Sequence, residues 1–316
     1  MDVLFYDEAS GLHYKAVVKS PVLYVAEKAA ALRGSLLITG CEMGGGLVSK
    51  ILRERARQTE VIMTVSSAAT IHHDLEKVRS WGIKIIEDSA AHDLRLNKKY
   101  NHLTFGDLAL GRLKEIVKGF GVPFEFDVVG IGAQDHGVPL AGVSHLDYRH
   151  NILRVGLNEN PFPHALIYRH DGIPKTFNRL TSIAKHAMEL PVDEVYVMDS
   201  GMAAILGASM DRQSRAKERV LILDVATSHT LGAAMEREEI AGFFEYHTSD
   251  ITLERLESLL IGLADGKLAH KKILEEGGHG AYNRKAFGYK NAEIIVATGP
   301  KRSLVENYRL TIIMGA

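Results

Sequence analysis

Short runs of apolar and β-branched residues recur along the chain, separated by segments whose apolar positions fall three and four residues apart. The first pattern predicts strands and the second predicts amphipathic helices. Strands are expected at Val3–Asp7, Tyr14–Val18, Leu36–Gly40, Val61–Val65, Lys84–Glu87, Val128–Gln134, Val195–Asp199, Val220–Ala226, Thr230–Met235, Ile240–His247, Ile294–Thr298 and Leu310–Met314. Helices are expected at Val25–Leu32, Leu47–Arg57, Ala68–Trp81, Leu108–Lys118, Thr181–Leu190, Ala203–Met210, Leu253–Ala264 and Ser303–Tyr308. Alternation of the two, with strands as apolar as Leu36-Leu37-Ile38, predicts an α/β fold whose mostly parallel sheet is covered by helices.

The order narrows this further. From Val220 onward three strands follow one another, and the links Thr227–Ser228 and Arg237–Glu239 leave room only for antiparallel hairpins. A helix, a second helical stretch, a strand, a helix and a final strand come next. The N-terminal half reads strand, strand, helix, strand, helix, strand, so it is expected to be a duplicate of the C-terminal half, one strand short. Lobes at residues 1–200 and 201–316 follow from that division. The opening strand directly after Met1 and the stop at Met314-Gly315-Ala316 predict that elements are absent at both ends.

Composition removes several function classes. A net charge of −1 gives no basic surface for displacing counterions from nucleic acid. The first twenty residues lack a secretory core run, and no stretch is apolar over the roughly 18 residues that span a bilayer. A cytoplasmic protein without membrane or nucleic-acid partners is expected; oligomeric state is not legible. Cys41 is the single cysteine, which excludes an internal disulfide and a thiolate-ligated iron–sulfur cluster.

Candidate chemistry sits in turns that follow strands, where open α/β sheets receive ligands. Gly40, Gly44, Gly45 and Gly46 form a glycine-rich turn before a helix, suited either to cradling phosphate or simply to turning tightly. Asp224 ends a strand and is placed to hold hydrated magnesium, while Thr227, Ser228, His229 and Thr230 in the following hairpin can meet phosphate oxygens. The alternative is a hairpin whose acid bonds the local backbone. Gly299, Pro300 and Lys301 form a turn that could pass under a purine. Gln134 and Asp135, with His136, enter a polar loop and could orient water or move protons.

Fifteen histidines raise a metal reading. His72-His73-Asp74 is expected inside a helix, where neighbours diverge, and HExxH is absent. A metal-dependent hydrolase would draw on His136, His145 and His279. Ser144 lies outside any GxSxG elbow.

In sequence, GIGAQDHG, TSIAKHAMELP, VYVMDSGMAAILGA, LILDVATSHTLGAAME and IVATGPKRSLV resemble, over residues 128–310, the ordered motifs of the actin-like ATPase superfamily of sugar kinases, heat-shock chaperones and hydantoinase activators. Together with DVLFYDE, LLITGCEMGGG, GFFEYHT and GGHGAY, they resemble an uncharacterised prokaryotic family labelled putative pyruvate formate-lyase-activating enzyme. The resemblance implies a two-lobed, ribonuclease H-like architecture lacking its first strand. It implies ATP, or a related phosphorylated ligand, with magnesium held through Asp224. ATP hydrolysis or small-molecule phosphotransfer would then involve Gln134, Asp135 and Asp224. Ala226 stands where the superfamily has a glycine, which points instead toward a binding or regulatory module without turnover. The activase label implies three cluster-binding cysteines, which this chain lacks.

Overall fold

The computed structural model describes residues 1–139 and 143–306, and the backbone of 312–314. Contacts divide the chain into two compact units, residues 1–129 with 178–195, and residues 130–177 with 196–316. Each is a mixed α/β assembly.

In the first unit, β1 (Asp2–Asp7) and β2 (Leu12–Val17) form a separate antiparallel hairpin. Next come α1 (Pro21–Ala31), β3 (Ser35–Gly40), α2 (Leu47–Arg55), β4 (Val61–Thr64), α3 (Val65–Ala68), α4 (Leu75–Ser80), β5 (Ile83–Ile86), α5 (Ala91–Arg95), β6 (Tyr100–Phe105) and α6 (Leu110–Gly119). Their strands make an all-parallel sheet in the order β5-β4-β3-β6. Leu36, Ile38, Val61 and Met63 are buried beneath Val25, Val48, Leu52 and Val78 from the helices. The expected repetition of the C-terminal pattern is therefore corrected: helical crossovers make these strands parallel, and the hairpin stays outside their sheet.

The expected helix Ala68–Trp81 is also corrected. α3 stops at Ala68, and Asp74 caps α4 by accepting from Glu76 N at 3.0 Å and Lys77 N at 3.3 Å. His72 and His73 thus lie between helices.

β7 (Phe126–Gly132), α7 (His145–Glu159), β8 (Tyr168–Arg169), α8 (Asn178–Ala187) and β9 (Val192–Met198) follow, with strand order β7-β9-β8. The remaining elements are α9 (Ser200–Ser209), α10 (Arg212–Arg215), β10 (Arg219–Val225), β11 (His229–Glu236), β12 (Glu239–His247), α11 (Leu253–Ala264), α12 (His270–Glu275), β13 (Gly280–Asn283), β14 (Ile294–Thr298) and β15 (Ile312–Met314). Their six strands form one sheet in the order β13-β12-β11-β10-β14-β15. Both hairpins expected after Val220 are present, and β10 runs parallel to β14. At Arg302–Val305 the backbone makes a 3-10 turn where a helix was expected. Residues 307–308 of the Ser303–Tyr308 expectation, and the first two residues of Leu310–Met314, lie outside the described residues.

Side chains of a strand alternate between faces. Leu221, Leu223 and Val225 accordingly pack with Leu256, Leu259 and Leu263 of α11. Val220 and Ile222 pack on the opposite face with Met202 and Ile205 of α9 and Leu153 and Leu157 of α7. Asp224 shares the parity of Val220 and Ile222, so it belongs to the α7/α9 face.

Candidate functional site

The same parity gathers a polar group on the α7/α9 face of the second unit. His229 shares it with Leu231 and Ala233, while Glu245 and His247 share it with Phe243. Register aligns Asp224 with Leu231 and Leu231 with Glu245, and sets His229 opposite His247 in the next row. One end of the sheet therefore carries two carboxylates and two imidazoles above an apolar floor.

Arg149 organises the group from α7. Its Nε and Nη2 donate to Asp199 Oδ2 and Oδ1 at 3.1 and 2.8 Å, and its Nη1 donates to Glu245 Oε2. All three side chains are at least nine-tenths buried, with exposures of 5, 2 and 5%. Asp199 also caps α9 by accepting from Gly201 N and Met202 N. Burial pushes the Glu245 carboxyl up, but Arg149 and His279 outweigh it and hold that carboxyl well below the usual carboxylate range. Gln134 Nε2 donates to Glu245 Oε1 at 3.0 Å. Asp135 is buried and turns its Oδ1 to Gly137 N at 2.8 Å. Burial, reinforced by Arg149, pushes His136 down to about 4.

Asp224 has a different environment. Among the described residues its carboxylate accepts no hydrogen bond and meets no cation. Burial, with the Glu245 charge nearby, pushes it up to about 6. A partly buried, uncompensated carboxylate beside a second one favours an added cation. Gly299 backs onto it: a Cβ at 299 would stand 2.5 Å from Asp224 Oδ1, and its φ of +92° suits glycine. Lys301 N donates to Val225 O at 2.9 Å, fastening the turn after β14 to the end of β10. Pro300 and Lys301 are exposed.

The β10–β11 hairpin divides its residues. Thr227 and Ser228 are exposed at the tip. Thr230 has the parity of Ala234 and is buried on the α11 face, where its hydroxyl lies 3.1 Å from that of Thr248. Ala226 N donates to His229 O at 3.0 Å, so this amide is used inside the turn.

His229 and His247 are joined by His279, which precedes β13. Their nearest ring nitrogens all lie within 4.8 Å of one another. The triad raised from sequence was His136, His145 and His279; the fold instead groups His279 with two strand residues, and His145 begins α7.

The glycine turn of the first unit is packed by protein. A Cβ at Gly40 would lie 2.1 Å from Phe105 O, one at Gly44 would lie 2.9 Å from Arg179 Nη2, and one at Gly45 would lie 2.5 Å from Thr70 O. Gly46 precedes α2 as its N-cap, with a φ of +48°. Arg179 is held by Asp107 through two 2.8 Å hydrogen bonds. Cys41 Sγ is 3.5 Å from His186 Nδ1, and burial pushes its thiol up. A cleft of about 810 Å³ lies in this unit between α1 and the segment from β6 to α6. None of the residues singled out from sequence lines it.

Residues 43–304 match the family described as "Putative pyruvate format-lyase activating enzyme (DUF1786)". The chain belongs to this family. No curated protein and no solved structure matches it. The family's label implies chemistry at a cysteine-ligated iron–sulfur cluster, and the donors here do not fit one: Cys41 is the single cysteine in the sequence. Among the described residues no helix is long and apolar enough to cross a membrane.

Proposed function

We propose that the α7/α9 face of the second unit binds a nucleotide, or a related phosphorylated ligand, together with magnesium. Its chemistry would be ATP hydrolysis or phosphoryl transfer to a small molecule. The observation that carries this reading is the seating of Gly299 on Asp224, which joins a bare backbone turn to an uncompensated carboxylate. The strand order β12-β11-β10-β14-β15, with an antiparallel pair of hairpins beside parallel strands, supports kinship with an actin-like ATPase lobe.

Magnesium keeps several waters and takes one or two carboxylates, which suits Asp224. When bound, the ion would neutralise charge on phosphate oxygens. Thr227 and Ser228 stand at the exposed tip to meet phosphate, while Gly299, Pro300 and Lys301 frame the nucleoside. Gln134, steadied by Glu245, orients the attacking group, with Asp135 fixing the bend of its loop.

Calorimetry of the full chain with magnesium-ATP and magnesium-ADP tests the reading. Saturable binding that Asp224→Asn or magnesium removal weakens is expected; no binding to either nucleotide overturns it. The internal use of the Ala226 amide favours a second reading, a binding module without turnover. Binding without phosphate release would select it.

A further inference from the structure

The cluster formed by His229, His247 and His279 shares the sheet face of Asp224, one row further along, and is arranged as a ligand set. His279 Nε2 is 3.0 Å from His247 Nε2. The His229 ring centre is 4.7 Å from that of His279 and 5.0 Å from that of His247. Two imidazole nitrogens that face each other can share only one proton, whereas one cation can accept both lone pairs. Ligand nitrogens bound about 2.0–2.1 Å from a tetrahedral zinc ion are spaced at much this separation.

The surroundings add an independent sign. His279 is 4% exposed, and its Nδ1 makes no hydrogen bond but faces Glu245 Oε1 at 3.5 Å. A metal-bound imidazole commonly turns its second nitrogen to a carboxylate, which fixes the tautomer and the ring. Glu245 occupies that place and is itself held by Arg149 and Gln134. His279 N also donates to Glu245 O at 2.8 Å, so backbone and side chain hold the same orientation. His229 and His247 are half-buried, which leaves the set open toward solvent.

We propose that His229, His247 and His279 bind one imidazole-preferring divalent transition ion, zinc foremost, with a fourth position open to water or substrate. Three neutral nitrogen donors select zinc and its neighbours over magnesium or calcium, which take oxygen ligands. An open position is the arrangement of catalytic rather than structural zinc. The proposal stands on the three imidazoles and Glu245 alone, and the test below uses metal without nucleotide.

The test strips the full chain with chelator and titrates it with Zn²⁺ and separately with Co²⁺. One tight equivalent is expected, with cobalt ligand-field bands and X-ray absorption reporting three imidazoles. His229→Ala and His247→Ala should each weaken binding by at least about tenfold while circular dichroism stays unchanged. Glu245→Gln should weaken it about 10–100-fold, the range for second-layer partners of metal ligands. Absence of a tight equivalent in the unsubstituted protein overturns the proposal, whatever the variants do. So does tight binding that survives in a folded His229→Ala/His247→Ala protein, because the ion would then sit on other histidines.

Discussion

Gly299 and Asp224 occupy each other's space: the α-carbon of the glycine sits where any side chain would press on the carboxylate. Two segments more than seventy residues apart are thereby fixed as one surface. Gly299→Ala adds a Cβ 2.5 Å from Asp224 Oδ1 and 2.6 Å from Val225 O, at a φ of +92°. A cost of about 1–3 kcal/mol is expected, the usual range for one strained backbone position. Urea unfolding with an unchanged slope and a lower midpoint would report it.

Arg149 is the single described cation paired with both Asp199 and Glu245. Arg149→Met removes the guanidinium shared by two buried carboxylates, and a loss of about 3–5 kcal/mol is expected. The triple change of Arg149, Asp199 and Glu245 to apolar residues should recover part of that loss. Equilibrium denaturation of both variants compares them.

Burial, then His270 and Arg149, push His150 down from 6.5 to about 4. Between those values the unfolded chain binds the proton that the folded chain refuses, so stability falls as pH drops through that window. His150→Phe should flatten the slope of unfolding free energy against pH there by close to one proton. Denaturation midpoints at pH 7, 6, 5 and 4 measure it; identical slopes would contradict the assignment.

The thiol of Cys41 is pushed up by burial, with the Asp107 charge acting in the same direction. Alkylation should therefore be slower in the folded protein than in urea, and should set in at higher pH than for an exposed thiol. Iodoacetamide kinetics across pH would show this. A fast native reaction at neutral pH would mark an activated thiolate instead.

Arg237 and Glu238 form the two-residue turn between β11 and β12 with φ of 51° and 70°. Left-handed backbone costs a side-chain-bearing residue roughly 1–2 kcal/mol. Glu238→Gly is expected to stabilise the protein by about 0.5–1 kcal/mol, after the larger chain entropy of glycine is counted. Thermal unfolding should shift upward.

Where apolar periodicity carried the fold, sequence and structure agree closely. β14 and α11 occupy the residues expected of them, and the antiparallel pairs after Val220 follow from their short links. α7 was missed because two of its four buried residues are Arg149 and His150, so its inward face reads as polar. β6 escaped for a related reason: in Tyr100–Phe105 only Leu103 and Phe105 are buried, and the intervening positions are polar. β8 has only two residues and leaves no pattern.

The site shows the same limit. Asp224 and Gly299 were visible as ends of strands, each in its own turn. The histidine cluster was not, since its members lie far apart in sequence and form no motif. A signal existed in the hairpin: counting outward from Arg237-Glu238 sets His229 beside His247, apart from one residue of slip at the bulge between Ala234 and Met235. Nothing local announces His279, which reaches the pair because β13 adds to the edge of β12.

The interleaving of the two units bears on how this protein can be dissected. Each is stitched from separate stretches of polypeptide, with crossings after residues 129, 177 and 195. Shortening the chain at residue 129 therefore leaves the second unit still carrying residues 178–195 of the first, and no single cut releases the first unit whole. Obtaining the histidine-bearing half in isolation would require excising residues 178–195 and rejoining the flanks, so that Phe177 leads directly to Tyr196.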